Sequence, residues 1–357
     1  MSPAYTHSLG ELRRSDADEF GGKSANLGEL LAAEIPVPPG FALGAAAFRA
    51  FVEEAGLEGT ISAALTRASA GGVEAGDAAS KAIGEAMRFA PLPDAVRAEL
   101  GQRLDELALS AGEERPPVAV RSSALGEDSE TATQAGQQES FLWVRGLEQV
   151  CDAVRDCWAS LFTPRAISYR AELGGGEAEP AMGVAVQQMV DAEVSGVMFT
   201  CNPISGDPSM VALNASWGLG IAVVGGETTP DDYLVSKITG EVVRRTVNAK
   251  EIEYVPDAAD RGAVRVEVAP ERREEPCLDE EQLAALVEAA KRIERHFGAH
   301  QDIEWALERG RALPEALHVL QARPVTGLPD PAQKVSASAM SLVLGTFGAA
   351  PRPPKQS

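Results

Sequence analysis

Apolar residues recur at helical spacing through the first third of the chain. Phe48, Phe51 and Val52 share one side of a helix, and Val96, Leu100, Leu104 and Leu107 form a stripe behind Asp94, a residue suited to an N-cap. Pro36, Pro38, Pro39 and Gly40 mark a turn, and Gly71 and Gly72 a loose stretch. After Pro116 and Pro117 the pattern changes. Val118, Ala119 and Val120 predict a short strand, a polar segment of small residues runs from Ser122 to Glu139, and 141–144 predict another strand. A segment of that length between strands is functional or disordered. A helix follows with Val150, Val154, Trp158 and Leu161 on one side. Beyond Gly174 to Gly176 the runs 184–190, 196–200, 210–216, 233–235 and 241–247 are strand-like, the last two joined by a turn at Thr239 and Gly240. One strong helix interrupts them: Asp279 and Gln282 make a capping box, Leu283, Leu286, Val287, Ala290, Ile293 and Phe297 the buried stripe, and Gly298 the stop. Strands at 302–307 and 317–322 follow, then a tail rich in Pro, Ala and Ser. There is no internal repeat.

The 357 residues suffice for two units or one large domain in lobes. With 45% hydrophobic and 24% charged residues the composition is that of a globular protein, which excludes disordered and fibrous classes. The net charge of −21 repels a nucleic-acid backbone or an anionic membrane, but not a small phosphorylated ligand met by local cations. Four scattered cysteines, with no CxxC pair, predict reduced thiols. Charges spread through the first thirty residues, and the lack of an 18-residue apolar run, predict a soluble, cytoplasmic protein.

Gly21-Gly22-Lys23-Ser24 lacks the earlier glycine of a Walker A loop, since position 17 is Ala17. Lys23 nevertheless sits beside a predicted helix start, which favours anions; a solvated surface lysine is the plain alternative. Arg121 ends the strand at Val118 and opens onto Ser122 and Ser123, then a donor-rich stretch with Gly126, Thr131, Thr133, Gly136, Gln137, Gln138 and Ser140. An arginine at a strand end holds phosphate bidentately, and small residues let backbone N–H groups approach oxyanions. Period-two alternation puts Asp302 and Glu304 on one strand face and Gln321 and Arg323 on one face of the next, with His318 on the other. Paired as a hairpin, Glu304 and Gln321 offer oxygens to Mg2+ and Arg323 meets the phosphates; a structural ion pair of Arg323 with Asp302 or Glu304 is the alternative. His296 and His300 have no metal-ligand cluster beside them, and no nucleophile elbow is present.

These segments, with Ala25-Asn26-Leu27-Gly28, Val37-Pro38-Pro39-Gly40-Phe41, Val186-Gln187-Gln188-Met189, Ser195-Gly196-Val197-Met198-Phe199-Thr200, Trp217-Gly218-Leu219-Gly220 and Leu320-Gln321-Ala322-Arg323-Pro324, resemble in order the nucleotide-binding domain of the phosphoenolpyruvate synthase and pyruvate phosphate dikinase family. The resemblance implies an α+β, ATP-grasp-like fold whose two lobes, 1–185 and 186–327, clamp ATP, ahead of a tail at 328–357. It implies that Lys23, Arg121 and Arg323 act catalytically on the phosphates, that Gly136 and Ser140 cover them, that Gln187 lies at the adenine side, and that Glu304 and Gln321 bind Mg2+, with Asp302 in support. Family members pass the β-phosphoryl group of ATP to a histidine on a swivelling domain and on to pyruvate or another acceptor. No histidine motif of that kind is present here. The expectation is therefore a subunit that phosphorylates a separate histidine-bearing partner, as in similar two-subunit phenylphosphate-synthase-like systems. A non-catalytic ATP-sensing module is the alternative.

Overall fold

A computed structural model of the chain describes residues 4–125, 139–172, 180–257 and 262–326. The fold is mixed α+β, in two compact units: one is drawn from Met1–Glu29 and Pro39–Met189, the other from Leu30–Pro38 and Val190–Ser357.

The first unit contains strands β1 (Thr6–Ser8), β2 (Gly40–Leu43), β3 (Val118–Ala124), β4 (Ser140–Val144) and β5 (Met182–Gln188). They form one antiparallel sheet in the order β1-β2-β5-β3-β4. Its helices are α1 (Ala17–Phe20), α2 (Gly22–Ala32, whose last residues belong to the second unit), α3 (Ala45–Glu54), α4 (Glu58–Phe89), α5 (Asp94–Ala111), α6 (Gly146–Ala159) and α7 (Pro164–Glu172). Phe41, Leu43, Val118, Val120, Val184 and Val186 alternate onto one sheet face and join the helical core. There the ring of Trp158 on α6 stacks on Phe51 at 5.1 Å and meets the edge of Phe48 at 5.8 Å. The opposite face is built differently: register pairs Gly40 and Ala119 with Gln187, Ala42 and Arg121 with Ala185, and Ser123 with Gly183. Small side chains make this face shallow, and only Arg121 and Gln187 rise from it among these residues. The expected loose stretch at Gly71 and Gly72 is a kink inside α4, where Gly72 alone leaves helical angles (φ 71). Asp94 proves to be the first residue of α5 rather than its cap, which is Pro93.

The second unit carries β6 (Ala192–Phe199), β7 (Met210–Trp217), β8 (Asp231–Ser236), β9 (Val242–Thr246), a separate ribbon of β10 (Ile252–Pro256) and β11 (Ala263–Glu267), and β12 (Gln301–Glu308) with β13 (Leu317–Pro324). The six-stranded sheet runs β13-β12-β6-β7-β8-β9. Helix α8 (Ile221–Val224) follows β7, and α9 (Glu280–Phe297) packs on β12 and β13. The capping box of α9 is present, with Asp279 Oδ1 accepting from Gln282 N at 2.8 Å and Gln282 Oε1 from Asp279 N at 3.0 Å; Gly298 closes the helix at φ 69. Its stripe of Leu283, Leu286, Val287, Ala290 and Ile293 is buried, and each of the larger side chains contributes about 1.5–3 kcal/mol.

A charge pair lies inside this unit. Lys250 and Asp231 are both fully buried and 2.6 Å apart. Lys250 also donates to Glu275 O (2.8 Å), while Asp231 accepts from Asn248 N (3.0 Å), Cys277 N (2.8 Å) and the Tyr233 hydroxyl (3.2 Å). Two chain segments, at 248–250 and 275–277, are thereby pinned to β8.

Candidate functional site

In the first unit, Gly21 turns the chain from α1 into α2 with φ +80, so close to β3 that a Cβ there would stand 2.2 Å from Ser123 O. Only glycine fits both the angle and the approach. The turn sets Lys23 on the opening turn of α2, where the helix dipole favours anions. Its side chain is 4% exposed and its Nζ donates to Ser122 O at 2.8 Å, so the alternative of a solvated surface lysine is excluded. Arg121 and Ser140 are registered partners across β3 and β4, which puts both on the shallow face that also holds Gln187, itself 2% exposed. Lys23 meets the same strand at its end. Gly126, Thr131, Thr133, Gly136, Gln137 and Gln138 lie outside the described residues.

In the second unit, β12 and β13 pair antiparallel as expected, with Glu304 opposite Gln321 and Asp302 opposite Arg323. The apolar residues Ile303, Trp305 and Leu307 alternate with these and are buried. Arg323 Nε donates to Asp302 Oδ2 at 3.0 Å, so the ion pair foreseen as an alternative role for Arg323 is present, with Asp302 as its partner. Burial raises the Asp302 carboxyl to about 6, against the opposing pull of Arg323. One expectation is corrected. A bulge between Glu304 and Trp305 gives β13 an extra residue, Leu320, so that His318 stands opposite Ala306 and returns to the face of Glu304. There His318 Nε2 lies 2.9 Å from Glu308 Oε2. His300, just before β12, is taken up by Glu294 at 2.6 Å.

Three features suit this second set to a hard cation. Gln321 Oε1 and Asp302 Oδ1 are buried with no hydrogen-bond partner, Glu304 is registered opposite Gln321 on the strand that carries Asp302, and every donor is oxygen. No group of three or more His, Cys, Asp or Glu side chains able to hold a metal ion occurs among the described residues.

Residues 17–342 match the family model described as pyruvate phosphate dikinase, AMP/ATP-binding domain. The chain belongs to this family. Within the dikinase family it is similar to a probable phosphoenolpyruvate synthase of Methanothermobacter thermautotrophicus, 38% identical over 347 residues, covering 97% of this chain and 50% of that protein. It is also similar to the phosphoenolpyruvate synthase of Pyrococcus furiosus, at 37% identity over 381 residues (96% of this chain, 46% of that one). A probable phosphoenolpyruvate synthase of Methanocaldococcus jannaschii is 40% identical over 321 residues, 90% of this chain and 26% of its own length. The chain thus spans half or less of these relatives. It is an ATP-binding domain of a family of ATP-dependent phosphotransferases, and no helix among its described residues is long and apolar enough to cross a membrane.

Residue-type reasoning singled out both sets but missed the seat under the first. Ser122 and Ser123 are buried and receive Lys23 and Ser24. The available signal was a pair of hydroxyls continuing an otherwise apolar strand.

Proposed function

We propose that the chain binds Mg·ATP and transfers the β-phosphoryl group to a histidine on a separate partner protein, releasing AMP and phosphate, for onward phosphorylation of a small acceptor such as pyruvate or a phenol. The observation that carries this reading is the oxygen set of Asp302, Glu304 and Gln321 beside Arg323, in a chain of an AMP/ATP-binding family. The arrangement proposed is ATP-grasp-like, with lobes at 1–185 and 186–327 acting on one nucleotide in the cytoplasm.

Lys23, Arg121 and Arg323 neutralise the phosphates, Gly136 and Ser140 cover them, and Gln187 meets the adenine. Glu304 and Gln321 would hold Mg2+, which supplies charge neutralisation across the phosphates. Phosphoryl transfer asks little covalent chemistry of a protein; positioning and charge are the main contributions. In the transfer, an imidazole nitrogen of the partner forms a bond to the β-phosphorus and loses its proton to solvent, the bridge to the α-phosphorus opens, and AMP leaves. Water then opens the bridge to the γ-phosphorus, and orthophosphate leaves.

The test is incubation of the purified chain with β-labelled ATP and Mg2+, with and without a histidine-bearing partner. Partner-dependent, acid-labile label with matching AMP release is expected, and Glu304→Ala abolishes it. ATP binding with no label moving to that partner would overturn the transferase reading in favour of an ATP-sensing module.

A further inference from the structure

Ser122 occupies a position where the strand pattern calls for an apolar side chain. It follows Val118 and Val120 on the core face of β3 and is 1% exposed. A buried hydroxyl is costly unless it is hydrogen-bonded, and this one is bonded in an unusual way. Ser122 Oγ accepts from Glu139 N at 3.0 Å and donates to Glu139 O at 3.3 Å, while Ser122 N donates to the same carbonyl at 3.0 Å. The backbone N–H and C=O of Glu139 are therefore both held by one residue. Glu139 directly precedes Ser140, which is registered opposite Arg121. At its other end, Ser122 offers its carbonyl to the Lys23 ammonium at 2.8 Å.

We infer that Ser122 is a positioning residue for the phosphate end of the nucleotide site: its carbonyl seats Lys23, and its hydroxyl clasps Glu139 and so sets Ser140 against Arg121. The inference rests on the proposed reading of Lys23, Arg121 and Ser140 as phosphate ligands. Groups from two separate stretches of chain, Lys23 and Ser140, then depend on one residue. Ser123 reinforces the seat, its hydroxyl accepting from Ser24 N at 3.2 Å.

Because alanine keeps the carbonyl and deletes only the clasp, Ser122→Ala loosens Ser140 while leaving Lys23 its acceptor. The effect falls on phosphate recognition and spares adenosine. In equilibrium binding with the full chain, Ser122→Ala weakens Mg·ATP by about ten-fold, the scale of a lost hydrogen bond with an orphaned amide, and changes AMP by less than about two-fold. Ser122→Thr, which retains a hydroxyl, restores the ratio of ATP to AMP affinity. Ser160→Ala, which removes a comparably buried hydroxyl bonded to Cys157 O at 2.6 Å, leaves the ratio unchanged. AMP binding doubles as the test of folding. If the alanine variant fails it, Ser122→Cys against Ser122→Thr decides, since cysteine matches the shape and hydrogen-bonds weakly. A wild-type preference for ATP that survives unchanged in Ser122→Ala, or in Ser122→Cys, overturns the positioning role. A wild-type chain that binds ATP no better than AMP overturns the phosphate-ligand reading beneath it.

Discussion

Replacing Lys250 with methionine tests how far a buried charge pair governs the second unit. Both partners are fully buried, so no water is at hand to resolvate what the substitution leaves behind. Methionine fills most of the space of the lysine stem, and the change is therefore mainly electrostatic. Asp231 keeps three donors, Asn248 N, Cys277 N and the Tyr233 hydroxyl, but no positive charge within its network, and Glu275 O loses its donor. Removing one partner of a buried pair costs about 3–5 kcal/mol. With a urea slope of about 2 kcal/mol/M, the midpoint of the second unit falls by about 1.5–2.5 M. The assay is urea unfolding followed by fluorescence and circular dichroism. Trp217 and Trp305 lie in the affected unit, Trp143 and Trp158 in the other, so two-unit behaviour shows as separate transitions. Adding Asp231→Leu recovers only part of the loss, because the three remaining donors are then orphaned in turn. A midpoint shift for Lys250→Met below about 0.5 M would refute the reasoning, since it would mean that Asp231 is resolvated or neutralised at little cost.

Gly21→Ala destroys the seat of Lys23, because the new Cβ meets Ser123 O at 2.2 Å in a backbone conformation that disfavours side chains; nucleotide binding measured by titration should be lost before the fold is. Asp279→Ala removes the cap of α9 and costs about 1 kcal/mol, read as a shift in thermal unfolding that Asp279→Asn largely avoids. All four cysteines are buried, and burial raises each thiol, Cys201 to about 11; in each case the native thiolate forms only at higher pH than in the unfolded chain. Thiol labelling of the native chain at pH 8 should therefore be slow and become fast in urea, and a rapidly labelled native cysteine would contradict this burial. Gln321→Leu closes the oxygen pair across β12 and β13, and Mg2+-dependent ATP binding, compared with binding in chelator, should lose its metal dependence while AMP binding persists.

The parts of this structure that could be read in advance are those whose causes are local. Helix α9 announces itself because cap, stripe and stop all lie within twenty residues, and the β12–β13 pair because a carboxylate alternates with an aromatic residue. Strand β2 was hidden by the prolines before it and the glycine that opens it, and the β10–β11 ribbon by its charged, half-exposed sides, which blur period-two alternation. Long-range contacts left no local trace. Lys23 and Ser122 are 99 residues apart in sequence, and nothing around either one names the other. The bulge at Leu320 was equally invisible, because one extra residue inverts parity without altering composition. Asp231 and Lys250, 19 residues apart, carry no local sign that the fold encloses them together.

The assignment of Leu30–Pro38 to the second unit has a consequence for how the chain is made. Val319 N in β13 donates to Pro36 O at 2.8 Å, and Arg292 reaches Ala33 O across 259 residues of sequence. On the ribosome this short piece emerges well before the helix and strand that bind it, Arg292 following Ala33 by 259 residues. The first unit can close around its own sheet as synthesis proceeds, but the second must wait for its C-terminal hairpin before an early segment finds its place. A cut at Met189 would therefore yield a C-terminal fragment missing one piece of itself, and a synthetic peptide of residues 30–38 added in trans should raise that fragment's refolding yield.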